Sequence, residues 1–158
     1  MLRIGSGFDV HRFTSKPQES ASITLAGIEI FHTHSLEAHS DGDVLSHALC
    51  DAFLGALALG DIGQHFPDTD PRYKNINSLS LLEQTYQLLK QRNWSLVNTD
   101  ITIIAEQPQI SPYNKKMRQS LADALELSIE QISIKATTSE GLGFTGRGEG
   151  IAVQAIVL

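Results

Sequence analysis

The chain is short of cysteine, of basic residues and of long apolar runs, and each shortage excludes a class of protein. Cys50 is its one cysteine, so no disulfide can form within the chain, and we expect a small core residue there. The 12 basic residues are outnumbered by 18 acidic ones, giving a net charge of −6, which argues against a nucleic-acid partner. No stretch of about twenty apolar residues is present that could span a membrane.

The first residues lead directly into a strand pattern instead of the charged and then apolar pattern of a signal peptide. Together with the single cysteine, this predicts a cytoplasmic protein without a membrane partner. An acidic protein can still bind a small anion, provided that metal ions supply the positive charge.

The periodicity of the apolar residues predicts a single α+β domain over residues 1–158. Strands are predicted at 2–10, 96–105, 132–138 and 151–158, with a hairpin at 23–30. Helices are predicted at 43–59, where Gly60 ends the first of them, at 78–92 and at 111–126. Polar loops are expected at 32–43, 61–77 and 139–150. This mixture predicts a two-layer sandwich, in which a mixed sheet carries helices on one face.

Two Asp/His pairs form the first candidate site. In an extended strand, Asp9 and His11 point to the same side. Asp41 and Asp43 are suited to cap the first helix, which places His47 on its first full turn. Asp9, His11 and His47 therefore offer three ligands with a fourth position open, an arrangement typical of catalytic zinc. The simpler alternative is a hydrogen-bonded core histidine.

Two features near this cluster could support it. Asp51 lies one helical turn after His47 and could hold the second imidazole nitrogen, although a solvated helix residue is the simpler interpretation. The loop 61–77 contains two prolines and three aspartates without an apolar period, and a loop of that length is usually functional or mobile. We expect it to close over one end of a bound substrate.

The stretch 135–150 forms the second candidate site. Its hydroxyl groups and the backbone amides left accessible by glycine, with Lys135 and Arg147, could bind a phosphate. Glu140 adds a hard oxygen ligand suited to magnesium or manganese. A flexible glycine turn is the alternative. Phe144, which lies among glycines, indicates an exposed apolar contact. The stretch 105–110 alone indicates only a turn before a helix.

Together, these stretches carry a resemblance that runs nearly end to end. The motifs that carry it are Gly7–His11, Ala38–Asp43 with His47, Leu59–Gly63, Phe66–Asp70, Lys135–Thr138 and Gly143–Gly150. In this order they resemble the 2-C-methyl-D-erythritol 2,4-cyclodiphosphate synthase family, in its free-standing form.

The resemblance implies a homotrimer around a central β-prism, with active sites between neighbouring subunits. It implies that 4-diphosphocytidyl-2-C-methyl-D-erythritol 2-phosphate is cyclised with release of CMP, in the non-mevalonate route to isoprenoid precursors. It also implies two cofactors, zinc and either magnesium or manganese.

The resemblance assigns roles by position. Zinc would be held by Asp9, His11 and His47, and the second metal by Glu140. Catalytic roles fall on His39, Asp61, Thr138 and Glu140. Substrate contacts fall on His39, Ser40, Asp61, Ile62, Gly63, Phe66, Asp68, Ala105, Glu106, Gln107, Pro108, Gln109, Ile110, Ala136, Thr137, Thr138, Phe144 and Arg147. The central cavity, where an isoprenoid diphosphate would bind, involves Phe8, Phe144, Arg147 and Glu149.

Three residues depart from the family pattern. Gln109 stands where lysine is common and Glu106 where glutamine is common, and both changes reduce positive character near the nucleotide. Ser139 replaces a threonine and keeps the hydroxyl. Two rival functions stay open on the sequence: a metal-dependent phosphohydrolase that activates water with the same ligands, and a trimeric isoprenoid-binding protein built round Phe8 and Phe144.

Overall fold

The computed structural model describes residues 1–38, 40–67, 69–73 and 75–158. Its strands are β1 (Gly5–Arg12), β2 (Ser22–Leu25), β3 (Ile28–Phe31), β4 (Thr99–Ile104), β5 (Ile132–Thr137) and β6 (Gly150–Val157). Its α-helices are α1 (Val44–Ala56), α2 (Ile62–His65), α3 (Ser78–Gln91), α4 (Asn114–Leu125) and α5 (Gly143–Gly146). Short 3₁₀ turns lie at Pro71–Tyr73, Ser111–Tyr113 and Ile129–Gln131.

Four of the strands form one mixed sheet in the order β1-β6-β4-β5. The β4–β5 pair is parallel, and the β1–β6 and β4–β6 pairs are antiparallel. Strands β2 and β3 form a separate antiparallel hairpin. Helix α1 packs against β1 and β6, α4 packs against β5, and α3 packs against α1. The predicted α+β class, with a mixed sheet and helices, is therefore confirmed.

Three predicted boundaries are wrong in informative ways. The first helix ends at Ala56, before Gly60, because Ala58 adopts a positive φ of 55° and turns the chain. The stretch 61–77 is not an uninterrupted loop, since Asp61 caps the short helix α2 by accepting a hydrogen bond from the Gln64 amide. The glycine-rich stretch 139–150 likewise contains α5.

Asp43 fixes the start of α1 to the β2–β3 turn. The residue is fully buried and caps the helix, as predicted, by accepting hydrogen bonds from the Ser46 amide and hydroxyl. Its two carboxylate oxygens also accept from the backbone amides of Ala26 and Gly27, at 3.0 and 2.8 Å. Burial raises the pKa of Asp43, while these donated bonds oppose the increase. One side chain thus joins two elements that are distant in sequence.

Cys50 is buried within α1, and burial raises the pKa of its thiol to about 12. This confirms the expected core role. Among the helices of the described ranges, none has the length and apolar content needed to cross a membrane.

Two glycines allow α1 to lie directly on β1. A Cβ added at Gly5 would lie 1.9 Å from the Ala52 carbonyl oxygen, and one at Gly7 would lie 1.9 Å from that of Ala48. Both distances are impossible for real atoms, so only glycine permits this approach. Glycines within a strand are typical of such a close approach, and here the partner is the helix backbone.

We predict that Gly7→Ala destabilises the fold, because the added methyl group must push α1 away from β1. The expected loss in the free energy of unfolding is at least about 1–3 kcal/mol, measured by urea denaturation. Gly55→Ala is the matched control, since its Cβ would meet only the Ser6 carbonyl oxygen at 3.7 Å. It should stabilise the helix by up to about 1 kcal/mol. Equal effects of both substitutions would contradict the packing argument.

Candidate metal and phosphate sites

A cavity of about 950 Å³ lies between β1, the start of α1 and the segment that follows α1. The predicted site residues that line it are Asp9, His11, Ser40, His47, Ile62, Gly63 and Phe66. The cavity therefore brings together the proposed metal ligands and most of the residues expected to contact the sugar phosphate. His39 and Asp68, also expected there, lie outside the described residues.

Asp9, His11 and His47 converge on one point of this cavity. The Asp9 Oδ2 atom lies 3.1 Å from His11 Nδ1 and 3.2 Å from His47 Nδ1. One ligand atom from each residue lies within 4.8 Å of the other two. The His11 Nδ1 atom is buried, and despite the short distance to Asp9 it is not aligned for a hydrogen bond with any described atom. Three convergent donors with a buried nitrogen left unpaired fit a divalent metal.

The charges in this cluster are strongly coupled. Burial raises the pKa of Asp9, but close contact with the His11 and His47 rings and their charge outweigh it and hold that pKa well below its ordinary value. Burial lowers the pKa of His47, yet contact with Asp9 and the nearby Asp43 and Asp41 carboxylates raises it overall. The Asp9 carboxylate is thus ionised, as a metal ligand must be.

The second ring nitrogen of His47 has a partner that the sequence did not indicate. His47 Nε2 lies 2.9 Å from Ser78 Oγ, on the first turn of α3. The Ser78 hydroxyl in turn donates to Asp41. Ser78 is 31 residues from His47, so no local spacing could have signalled the pair.

The suggestion that Asp51 holds the second imidazole nitrogen is wrong. Its Oδ1 atom accepts a 2.7 Å hydrogen bond from the Ile62 amide, which anchors the start of α2 to α1. Burial, with the charges of Asp61 and Asp9, raises the pKa of Asp51. The simpler interpretation is also incomplete, because Asp51 lines the cavity and organises its wall.

The second candidate site lies where β4 and β5 end. Because these strands are parallel, their carboxyl ends lie side by side. The segments that follow them, 105–110 and 138–141, therefore leave the sheet at the same end of the strands. The Ala105 amide donates to the Thr137 carbonyl oxygen at 3.0 Å. The Thr138 hydroxyl lies 3.3 Å from Glu140 Oε1, and Glu140 adopts a positive φ of 54°. A non-glycine residue in this conformation is unusual and often functional.

Glu106 holds this second segment in place. Its Oε1 atom accepts hydrogen bonds from the Ser139 amide at 3.1 Å and the Gly141 amide at 3.3 Å, one on each side of Glu140. The Ser139 hydroxyl lies 3.4 Å from the same oxygen. Because residue 106 is glutamate instead of the glutamine common in the family, an ionisable carboxylate accepts these hydrogen bonds from the loop that carries Glu140.

The cations of the glycine-rich stretch already have anionic partners. Lys135 forms an ion pair with Asp100, and Arg147 forms a two-bond pair with Glu149 at 2.8 and 3.1 Å. Neither is a free positive charge in this structure. Phe144 is 36% exposed on α5, as expected for an apolar contact outside the core.

The two candidate sites lie on the two outer strands of the sheet, β1 and β5. The register places Val10, Ala152, Ile104 and Thr137 in one row across β1, β6, β4 and β5. Three strand spacings separate the first and last of these residues, or about 14 Å. The described chain therefore does not bring the Asp9 cluster and Glu140 together.

We predict that Glu106→Ala loosens the Glu140 loop, since two backbone amides lose their acceptor. The expected cost is about 1–2 kcal/mol in unfolding free energy, with faster hydrogen exchange at the Gly141 amide. Glu106→Gln keeps an acceptor oxygen and should retain most of the protection. Slow exchange of the Gly141 amide in Glu106→Ala would contradict this role.

Comparison with known proteins identifies close relatives. The model of the YgbB family matches residues 2–158. The 2-C-methyl-D-erythritol 2,4-cyclodiphosphate synthase of Acinetobacter baumannii (strain SDF) is 60% identical over 157 residues, covering 99% of this chain and 96% of its own. The synthase of the same name from Azotobacter vinelandii is 54% identical, covering 99% of this chain and 98% of its own.

Two solved structures of similarly named proteins have the same fold as this chain. The bifunctional IspDF of Campylobacter jejuni superposes with a TM-score of 0.91 at 46% identity, and 99% of this chain corresponds to 42% of that longer one. The Plasmodium falciparum IspF, solved as a CDP complex, superposes with a TM-score of 0.85 at 34% identity and covers 99% of this chain and 94% of its own.

Proposed function

Because the chain belongs to the YgbB family, whose relatives are 2-C-methyl-D-erythritol 2,4-cyclodiphosphate synthases, we propose that it catalyses the same cyclisation. Its substrate is 4-diphosphocytidyl-2-C-methyl-D-erythritol 2-phosphate, and its products are the 2,4-cyclodiphosphate and CMP. The chain is therefore a phosphorus–oxygen lyase of the non-mevalonate route. It acts as a single synthase domain over residues 1–158, and we place it in the cytoplasm.

The convergence of Asp9, His11 and His47 in a large cavity is the observation that carries this proposal. Two nitrogens and one carboxylate oxygen, with room for a further ligand, suit zinc. Glu140 offers a hard oxygen ligand at the other site, which suits magnesium or manganese. A bound divalent metal supplies Lewis-acid neutralisation of phosphate charge, which an acidic chain otherwise lacks.

The chemistry requires alignment more than proton transfer. An oxygen of the substrate's 2-phosphate attacks the β-phosphorus, the bond from that phosphorus to the bridging oxygen breaks, and CMP leaves with the bridging oxygen. The nucleophile is already anionic, so no strong general base is needed. What the protein must do is fold the methylerythritol back on the diphosphate. Such a proximity effect contributes on the order of 7 kcal/mol or more in favourable cases.

The residues of the two sites take the roles that the family resemblance implies. Ser40, Ile62, Gly63 and Phe66, together with His39, Asp61 and Asp68, hold the methylerythritol phosphate. The Thr138 hydroxyl donates to the transferring phosphate. The stretch 105–110, with Ala136 and Thr137, forms the cytidine pocket, in keeping with the CDP complex of the Plasmodium falciparum relative. With Glu106 turned toward the Glu140 loop, nucleotide recognition there depends on the rest of that stretch.

We further propose that the protein is a homotrimer with active sites between subunits. Two metals that act on one diphosphate would have to lie within its short span, whereas Val10 and Thr137, on the strands that carry the two sites of one chain, lie about 14 Å apart. A neighbouring copy can supply the missing half. The sheet face opposite α1 also exposes the apolar side chains of Phe8, Val10 and Ile156, which a second copy would cover.

The trimer predicts a specific effect of charge on this face. Ile156→Asp, in a central strand of the sheet, would bury an unpaired carboxylate and should convert the trimer to monomers in analytical ultracentrifugation. Phe31→Asp is the matched control, since Phe31 is an exposed apolar residue on the separate hairpin, and it should stay trimeric. A monomeric wild-type protein would overturn the proposed assembly.

The central cavity of such a trimer would involve Phe8, Phe144, Arg147 and Glu149. Phe8 is 56% exposed, and the apolar rings beside the Arg147–Glu149 pair could take an isoprenoid diphosphate. Binding there would accompany the synthase activity and is not offered in place of it.

The activity is tested by incubating the protein with the cytidyl substrate, zinc and magnesium, and following the products by phosphorus NMR. We expect equal amounts of CMP and the cyclic diphosphate. His47→Ala should lower turnover by at least about 100-fold, since disturbing a contact behind a metal ligand already costs about 10–100-fold. His34→Ala, outside the cavity, should keep activity.

Two outcomes would redirect the proposal. Free phosphate or a linear product would identify a phosphohydrolase that uses the same ligands to activate water. No turnover together with tight binding of prenyl diphosphates would identify an isoprenoid-binding protein. Near-normal turnover of His47→Ala, with stoichiometric metal removed, would show that the metal role is wrong.

A further inference from the structure

The two ring nitrogens of His47 face different partners. Nδ1 points to the Asp9 carboxylate, where a metal would bind, and Nε2 points to Ser78 Oγ. A neutral imidazole carries a proton on one nitrogen and a lone pair on the other. A metal ligand must present the lone pair, so the tautomer of His47 decides whether Nδ1 can coordinate a metal before any rearrangement.

The partners of Ser78 determine how its hydroxyl is oriented. An ionised carboxylate can only accept hydrogen bonds, and Asp41 Oδ1 lies against Ser78 Oγ. The Ser78 hydroxyl proton must therefore point to Asp41. The Ser78 oxygen then offers only lone pairs to His47. It can therefore accept a proton carried by Nε2 when a metal takes the place of the proton between Nδ1 and Asp9.

Further contacts hold Asp41 in position for this task. Its Oδ2 atom accepts the Ser78 backbone amide at 2.9 Å, so one carboxylate binds both polar groups of the same serine. Its Oδ1 atom also accepts the Asp43 amide at 3.2 Å, which ties it to the start of α1. Ser78 is fully buried, so water does not compete for its hydroxyl.

We propose that Asp41 and Ser78 are positioning residues. Asp41 orients the Ser78 hydroxyl so that its oxygen accepts the Nε2 proton of His47 while Nδ1 is directed at the metal position. The inference rests on the proposed metal role of Asp9, His11 and His47. This relay, formed by Asp41 and Ser78, links the start of α1 to the start of α3, and it raises metal affinity by fixing the orientation of the His47 ring.

The first measurement is made on zinc-loaded protein labelled with ¹⁵N-histidine. The Nε2 proton of His47 should exchange slowly with water in the wild-type protein, because the buried Ser78 hydroxyl oxygen accepts it. It should exchange faster in Ser78→Ala. Equally slow exchange in Ser78→Ala would overturn the proposal.

The second measurement is zinc affinity by competition with a chelator, without substrate. We expect Ser78→Ala to bind zinc about 10–100-fold more weakly. Ser78→Thr keeps the hydroxyl and should restore most of the affinity. Ser80→Ala, on the same helix, is the control and should bind zinc as the wild-type protein does.

Asp41→Asn separates the relay from a simple contact, because it leaves the Ser78 hydroxyl beside His47 but removes the charge and one of the two acceptor oxygens that orient Ser78. We expect weaker zinc binding and faster exchange of the Nε2 proton. Asp123→Asn, on the exposed surface of α4, is the matched charge control. Unchanged Nε2 proton exchange and zinc affinity in both Ser78→Ala and Asp41→Asn would overturn the relay alone. Failure of the wild-type protein to bind zinc would overturn the metal role as well.

Discussion

The contact between the backbones of β1 and α1 is the constraint on which the rest of the structure depends. Gly5 and Gly7 bring the strand so close to the helix that no side chain fits between them. Asp9 and His11 continue the same strand, and His47 lies on the facing side of the helix. Because the backbones are fixed, three ligand atoms converge within 4.8 Å of one another. The packing therefore prepares the site.

Carboxylates organise this region in ways that their charge alone does not suggest. Asp43 joins α1 to the hairpin, Asp51 joins α1 to α2, and Asp41 joins α1 to α3. Each of these carboxylates accepts hydrogen bonds from backbone amides, so its negative charge stabilises the fold itself. Asp9, by contrast with these three, places a carboxylate oxygen directly against the histidines of the proposed metal site. The clustering of acidic residues in the motif around position 41 thus serves mostly to assemble the cavity wall.

Local patterns in the sequence predict most of the elements and the same-side placement of Asp9 and His11, because these depend on spacing within one strand or one helix. His47 lies 38 positions from Asp9, so it joined the predicted cluster by its residue type and its place on the first turn of a helix. The alternation in β1 and the cap at Asp43 are of this kind. Ser78 and Glu106 were beyond such reasoning, since each acts on a residue more than 30 positions away. The end of α1 was placed too late because Ala58, a residue with no turn preference, adopts the positive φ expected of Gly60.

The alternation of β1 serves two purposes at once. Gly5, Gly7, Asp9 and His11 face α1, whereas Phe8 and Val10 face the open side of the sheet. A shift of one residue in the β1–β6 register would exchange the two sets, removing the metal ligands and burying apolar rings against the helix. The metal site and the outer apolar face are therefore set by a single register. A substitution that keeps the β1–β6 register therefore keeps both the metal site and the outer apolar face.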